Sequence, residues 1–384
     1  MDVEYGRLDQ SLDKIKLVCH LEGINIKNNK KDNLKLKLMY LLNFQWLNSD
    51  LAGAICAFIL GIKDGKNFVE ITYIAPCITF SFLANIKSLA VILNGTQLQE
   101  SISILKKMEI KDKNRNKNIK CKVDNIIREH VGFLHSVIKV LNITYVVLVA
   151  AFAVNPLMLI AYKYYKTNEL ELVLPFLIWY PFDAYSIRNW PAVYLHQLWS
   201  DAVVILGIGT SDYIFYTCCT YITLRFRVLQ VEIENLVTER TNFNSFQAKF
   251  REIVMWHQEL IRCSQIIEEI YSKSVLFNFV SSSILICLTG FDVMFLSDRI
   301  MVMSFVSFLC TSLLQIFFLC YFGDLLMRSS LGVGDAAYKC RWYSKGPYPC
   351  KITAYGFADV NLTAFMRILS NAWSYFALLN TIYG

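Results

Sequence analysis

The sequence predicts an all-α integral membrane protein with seven transmembrane helices, a cytosolic N-terminus and an extracellular C-terminus. Three observations predict it. First, the chain is 55% hydrophobic with mean hydropathy +0.39, and only 18% of it is charged, against about 25% in soluble domains. Second, seven stretches approach the roughly 20 mostly apolar residues that a helix needs to cross a bilayer: 38–62, 68–93, 131–155, 198–224, 274–296, 300–322 and 362–383. Third, basic residues segregate. Of 38 Lys and Arg, eight lie in 1–37, nine between spans two and three, seven in 225–273 and five in 323–361, while the opposite loops hold six. Positively charged loops stay in the cytosol.

The N-terminal segment, 1–37, has no apolar core of signal-peptide length. It is expected to remain cytosolic, with the first span as insertion signal. Its lysines at 27–37 suit an anionic inner leaflet; with no aromatic interleaving they do not point to nucleic acid. Span one carries Asp50, costly at about 2.5–3.5 kcal/mol near a bilayer centre. It is therefore expected to face the bundle interior or a wet cavity, as a packing or topology device rather than a ligand contact. Span two places Tyr73, Cys77 and Phe80 on one helical face, and Pro76 is positioned to kink it. The stretch from Lys106 to Arg128 is the clearest cytosolic marker, with nine basic and three acidic residues.

Span three places Thr144, Leu148 and Ala151 on one face. The segment 156–197 follows, with four of the seven prolines and the aromatic runs LPFLIWYPFD (174–183) and WPAVY (190–194). Aromatic residues at this density suit a membrane interface, and the prolines predict a break in helix. We read it as an ordered outer loop. Span four places Trp199, Val203 and Leu206 on one face of its outer half. Residues 225–273 turn polar yet keep helical periodicity, at Phe226, Leu229, Ile233 and Leu236 and again at Ile253, Trp256, Leu260 and Ile267, which predicts helices continuing into the cytosol. Glu232, Glu234 and Glu239 beside Arg225, Arg227 and Arg240 are read as a solvated face. Spans five and six are separated by a tight turn at 297–299 and must be antiparallel neighbours. A cytosolic stretch, 323–361, precedes the last span.

That last span has a stripe unlike lipid-facing surface. Asn371, Ser374, Leu378 and Thr381 follow at spacings of three or four, with Ile382 beside them. Phe365, Leu369, Trp373 and Phe376 lie opposite. Such a stripe serves helix packing or lines a pore, polar toward one end and closed by Leu378 and Ile382 toward the other.

Other classes fit poorly. The twelve cysteines lie in apolar spans or basic connecting stretches and form no CxxC pair, which predicts no disulfide framework. The five histidines are scattered, with no HExxH and no Ser/His/Asp grouping, so no enzyme, metal or cofactor is expected. A G-protein-coupled receptor has seven spans the other way up. A secondary transporter, the alternative from another class, is expected to carry an internal repeat, and none is evident.

The chain resembles the insect odorant receptors. The residues that carry the resemblance are the proline-rich aromatic loop before span four, YFGD at 321–324, AAYKCRWY at 336–343, KITAYGF at 351–357, and Phe365 with SYF at 374–376. The resemblance covers the whole chain and is strongest after Tyr321. No enlarged cytosolic insertion precedes span five, so the chain resembles a variable, odorant-tuned subunit rather than the shared co-receptor. A gustatory receptor of the related family is the nearest alternative, but its signature is missing near the C-terminus. The resemblance implies four subunits around one pore lined by the last helix. It implies a ligand-gated, non-selective cation channel formed with the co-receptor in the plasma membrane of olfactory neurons. It implies a site for a small volatile ligand in the outer half of the bundle: Tyr73, Cys77, Phe80, Thr144, Leu148, Ala151, Trp199, Val203 and Leu206, although each of these alone also fits ordinary helix packing. It places the pore at Asn371, Ser374, Leu378, Thr381 and Ile382. One departure stands out. The family carries an apolar cytosolic helix between the motifs ending at Tyr343 and starting at Lys351. Here only SKGPYPC, 344–350, joins them, and its two prolines and glycine will not form that helix.

Overall fold

Among the residues that the computed structural model describes, 7–26, 33–65, 73–112, 117–238, 243–295, 299–339 and 350–383, nine α-helices form. They are α1 (Arg7–Glu22), α2 (Asn33–Lys63), α3 (Ala75–Leu93), α4 (Gly95–Asp112), α5 (Lys117–Thr167), α6 (Trp190–Thr238), α7 (Phe243–Phe295), α8 (Arg299–Lys339) and α9 (Leu362–Tyr383). Six of these, α2, α3, α5, α6, α7 and α8, are long and apolar enough to cross a membrane. α9 falls short of that composition because Arg367, Asn371 and Asn380 dilute its apolar residues.

α6 is the axis of the bundle. From Val203 to Phe226 every residue except Leu206 is buried, under α1, α3, α5, α7 and α8. Helices in lipid gain little hydrophobic drive from meeting, so close packing and interhelical hydrogen bonds must hold them. α6 supplies both. Its Tyr213 hydroxyl donates to Asn142 Oδ1 at 2.7 Å, and its Tyr216 hydroxyl donates to the Gln315 carbonyl at 3.3 Å. The outward faces stay apolar: Ile143, Val146, Val147, Val154 and Met158 of α5 are exposed. In water this stripe would be a liability; in a bilayer it is the solvated surface.

A charged seam crosses the middle of this core. Lys87 Nζ lies 2.6 Å from Asp212 Oδ1, with both side chains 2% exposed. Gln315 donates to the other Asp212 oxygen at 2.8 Å, Asn278 donates to Gln315 Oε1 at 3.5 Å, and Ser282 donates to Asn278 Oδ1 at 3.2 Å. α3, α6, α7 and α8 are thereby tied at one level.

Several local expectations change. Pro76 sits in the first turn of α3, where its missing N–H costs nothing, so it starts the helix instead of kinking it. α5 runs through Pro156 to Thr167, so the irregular segment opens at 168, not at 156. The Tyr194 hydroxyl donates to the Ala153 carbonyl, one residue from the Phe152 carbonyl that Pro156 leaves without its helical donor. Arg225, expected on a solvated face, is 5% exposed; Glu239 and Arg240 lie outside the described residues. The N-terminal segment is not merely a basic tail. Leu8, Leu12, Ile15 and Cys19 repeat at helical spacing, and α1 buries that stripe on α6. Glu22 ends α1 buried, accepting a hydrogen bond from Ser88 at 2.9 Å. Burial pushes its carboxyl up to about 8, and the Ser88 bond only partly opposes this.

After α8, residues 340–349, which include most of the shortened join, lie outside the described residues. The chain then makes a tight hairpin. The Phe357 amide donates to the Ala354 carbonyl at 3.0 Å and the Val360 amide to the Ile352 carbonyl at 2.8 Å. The central Tyr355 and Gly356 both have positive φ, 52° and 79°, as a hairpin turn of this type requires. Asn361 Oδ1 then accepts from the Ala364 amide at 2.9 Å and caps the start of α9. α9 lies on α7 and α8 through Ala364, Ile368 and Ala372, which are buried; small residues at this spacing let two helices approach closely.

Candidate functional site

The outer irregular segment folds inward onto the bundle. Gln197, fully buried on α6, receives the Phe176 amide at 3.0 Å and donates to the Phe176 carbonyl at 3.2 Å. Trp190 Nε1 donates to the Val173 carbonyl at 3.0 Å. The Trp179 amide donates to the Gly53 carbonyl at 3.1 Å. A Cβ at Gly53 would stand 2.6 Å from the Ile178 side chain and 2.8 Å from the Trp179 carbonyl, so this docking requires glycine.

Beneath the docked segment lies a cavity of about 40 Å³. α2 contributes Asp50; α3 contributes Cys77, Phe80 and Ser81; α5 contributes Leu148 and Phe152; the outer segment contributes Phe176. α6 supplies Ser200, Asp201 and Val204, and α8 supplies Phe308. Phe80 and Phe308 meet edge to face at 4.9 Å, and Phe152 stacks on Phe176 at 5.0 Å. Phe152 also borders a second space of about 20 Å³, lined among others by Tyr73, Asn155, Pro175 and Phe305. Tyr73 donates to the Pro175 carbonyl at 3.1 Å.

Of the residues the sequence points to, Cys77, Phe80 and Leu148 line the main cavity and Tyr73 the adjoining one. Val203 is buried beside the lining residue Val204. Thr144, Ala151 and Leu206 are half-buried, and Trp199 is 40% exposed. Asp50, read as a packing device, is part of the cavity wall. Phe152, Phe176, Ser200, Asp201 and Phe308 were not singled out. Asp201 had a signal in the sequence, since an acid within an apolar span is a functional-site candidate by default. Phe176 and Phe308 had none, because only the docking of the outer segment and the crossing of α8 bring them in.

Behind Asp50 stands His196. Its Nδ1 lies 3.4 Å from Asp50 Oδ1 and 3.1 Å from the Tyr180 hydroxyl. Its Nε2 lies 3.0 Å from the Ser49 hydroxyl, and Trp46 stacks on the ring. The imidazole ties α2, α6 and the outer segment together at the rim of the cavity.

At the far end of the chain, Asn371, Ser374, Leu378, Thr381 and Ile382 are all exposed on α9. Opposite them, Phe365 meets Phe317 edge to face at 5.5 Å and Phe376 is half-buried near Gly290. Trp373 remains 71% exposed.

Residues 67–373 match the 7tm odorant receptor family, so the match takes in the cavity lining except Asp50 and the first half of α9, to Trp373. The chain belongs to this family. Among odorant receptors of Drosophila melanogaster it is 26% identical over 378 residues to odorant receptor 67c, covering 93% of this chain and 91% of that one. It is 22% identical over 376 residues to odorant receptor 85c, covering 92% and 93%. The insect olfactory receptor OR5 from Machilis hrabei, solved in complex with eugenol, has the same fold. Its TM-score is 0.80 at 16% identity, over 98% of this chain and 99% of that one. The odorant receptor is thus a multi-pass membrane protein and not an enzyme.

Proposed function

We propose that this odorant receptor is the odorant-binding subunit of a heteromeric, ligand-gated, non-selective cation channel, formed with a co-receptor in the plasma membrane of olfactory neurons. Family membership over residues 67–373 is the observation that carries this reading. In it α9 is the seventh span, the N-terminus is cytosolic and the C-terminus outside. The volatile ligand enters the outer cavity among Tyr73, Cys77, Phe80 and Leu148, with Thr144, Ala151, Trp199, Val203 and Leu206 around it. An aromatic and aliphatic wall suits such a ligand. The exposed stripe of α9 faces a shared axis, with Asn371 and Ser374 in its polar part, Thr381 at the narrow polar position, and Leu378 and Ile382 as the constriction. Large apolar side chains around a narrow axis gate by dewetting.

Co-expression with a co-receptor and recording under a panel of volatiles tests this. Odorant-evoked cation current is expected, and Leu378→Ser is expected to raise the current without odorant. If Leu378→Ser leaves basal and evoked currents untouched in a channel that assembles, the pore assignment fails. A tag after Gly384 should label on intact cells and a tag before Met1 should not; the reverse pattern rejects the orientation. The short join at 344–350 predicts weaker assembly and small currents. Stable heterotetramers of this same chain with full currents would refute that.

A further inference from the structure

Among the described residues, the lining of the outer cavity holds two carboxylates and no basic side chain. Asp201 Oδ2 is closed to solvent and meets no hydrogen-bond donor, whereas Asp50 Oδ1 has the His196 imidazole beside it. Asp50 is 8% exposed. Its nearest cation candidate is the His196 imidazole at 3.4 Å, whose Nδ1 also contacts Tyr180 and whose Nε2 contacts Ser49. Among the described residues Asp201 has no such neighbour. The Ser200 hydroxyl, the donor nearest to it in sequence, already donates to the His196 carbonyl at 3.0 Å. The rest of the wall is dominated by four phenylalanines: 80, 152, 176 and 308.

This combination has a direction. A buried carboxylate without donors is unfavourable until something donates to it. A ligand carbonyl or ether only accepts, so it adds a third acceptor to a site already short of donors. An alcohol brings one donor and no charge. An ammonium group brings up to three donors and a positive charge, and phenyl ring faces attract cations at close range. Aromatic walls with a carboxylate are the chemistry by which proteins hold ammonium groups.

We propose that the outer cavity recognises a small amine in its ammonium form, with Asp201 as the principal partner, Asp50 as the second, and the phenylalanines around the cationic head and apolar body. The proposal rests on the ligand-site reading above and narrows it to one chemical class. The free volume of about 40 Å³ holds no more than a few waters. Phe152 separates it from the adjoining space near Tyr73. Turning Phe152 away from Phe176 would merge the two spaces, and we assign Phe152 as the side chain that yields to the ligand body.

The test is binding to the purified full-length chain, read by ligand-dependent thermal unfolding. The probes are 2-phenylethylamine, 2-phenylethanol and phenylacetaldehyde, which share a ring and a two-carbon arm and differ in the polar end. The amine is expected to half-saturate at a concentration at least tenfold below the other two. Asp201→Asn is expected to raise its half-saturating concentration at least tenfold, and Asp201→Glu to restore part of that. The wild-type ranking decides the matter even if a variant fails to fold. Equal or tighter binding of the alcohol or the aldehyde overturns the proposal, as does binding of none of the three, or unaltered amine binding by folded Asp201→Asn. Amine binding with this ranking but no amine-evoked current beside a co-receptor keeps the site and breaks the channel reading. Currents evoked by neutral volatiles, with no preference for the amine in binding, break the site and keep the channel reading.

Discussion

Asp201 and Asp212 lie on one helix, about three turns apart, and their surroundings differ in kind. Asp212 has a lysine on one oxygen and a glutamine amide on the other, and its neighbours are themselves bonded across α7 and α8. Asp201 has a closed-off oxygen with no donor and faces a cavity. A fully partnered buried acid holds helices in register. One that lacks donors costs free energy in the ligand-free state, and a folded chain tolerates it where a ligand later supplies what is missing. The same residue type on the same helix thus stands once in a seam that holds the bundle and once, unpartnered, at a cavity wall.

Substitutions can break or sharpen that contrast. The largest effect is expected at the seam. Lys87→Met leaves Asp212 charged and unpaired, a loss on the order of 3–5 kcal/mol, visible as a lower unfolding midpoint of the purified chain and poor surface labelling. Adding Asp212→Leu should recover most of it, because removing both partners leaves no orphan charge. If Lys87→Met unfolds with the wild type, the seam is not structural. Gln315→Leu removes one hydrogen bond to a charged group and should cost about 1.5–3 kcal/mol by the same measurement.

Glu22 gives an effect with a pH signature. Its folded carboxyl is raised from 4.5 to about 8 by burial, so the fold favours the neutral form. Its contribution to stability is therefore fully present below about pH 4.5 and is lost as pH rises toward about 8. Glu22→Gln cannot ionise. It should be more stable than the wild type at pH 8, with the gap closing below pH 5. A gap independent of pH would mean that Glu22 is not titrating in the fold. The smallest effect is expected at the site: Asp201→Asn without ligand should unfold within about 0.5 kcal/mol of the wild type, or above it, since there is no partner to lose. A large loss there would place Asp201 with the seam.

Much of this was legible in advance and some was not, for definable reasons. The 3.6-residue period placed helices through 225–273 and at the chain end, and α9 occupies Leu362–Tyr383 as expected. Proline is ambiguous in a sequence: whether Pro76 starts a helix or bends one depends on what precedes it, and Pro156 costs one hydrogen bond within a helix long enough to run on to Thr167. The α1 stripe was overlooked because lysines dominate the composition of that segment, while four apolar positions decide its packing. Cys77, Phe80 and Leu148 were found because side chains on one face of a span travel together. Phe176 and Phe308 were not, because they reach the cavity from other elements.

The sequence by itself determined that this chain is a helical membrane protein with basic residues on alternate connections, that its last helix carries a mixed stripe, and to which family it belongs. Those properties sum along the chain: hydropathy, charge and period are each local. Tertiary structure alone decided which acid is a strut and which faces a cavity. Asp50, Asp201 and Asp212 read alike in an apolar run. Their meaning depends on whether Lys87, His196 or empty space lies across the helix interface, and that is set by packing between residues far apart in the chain.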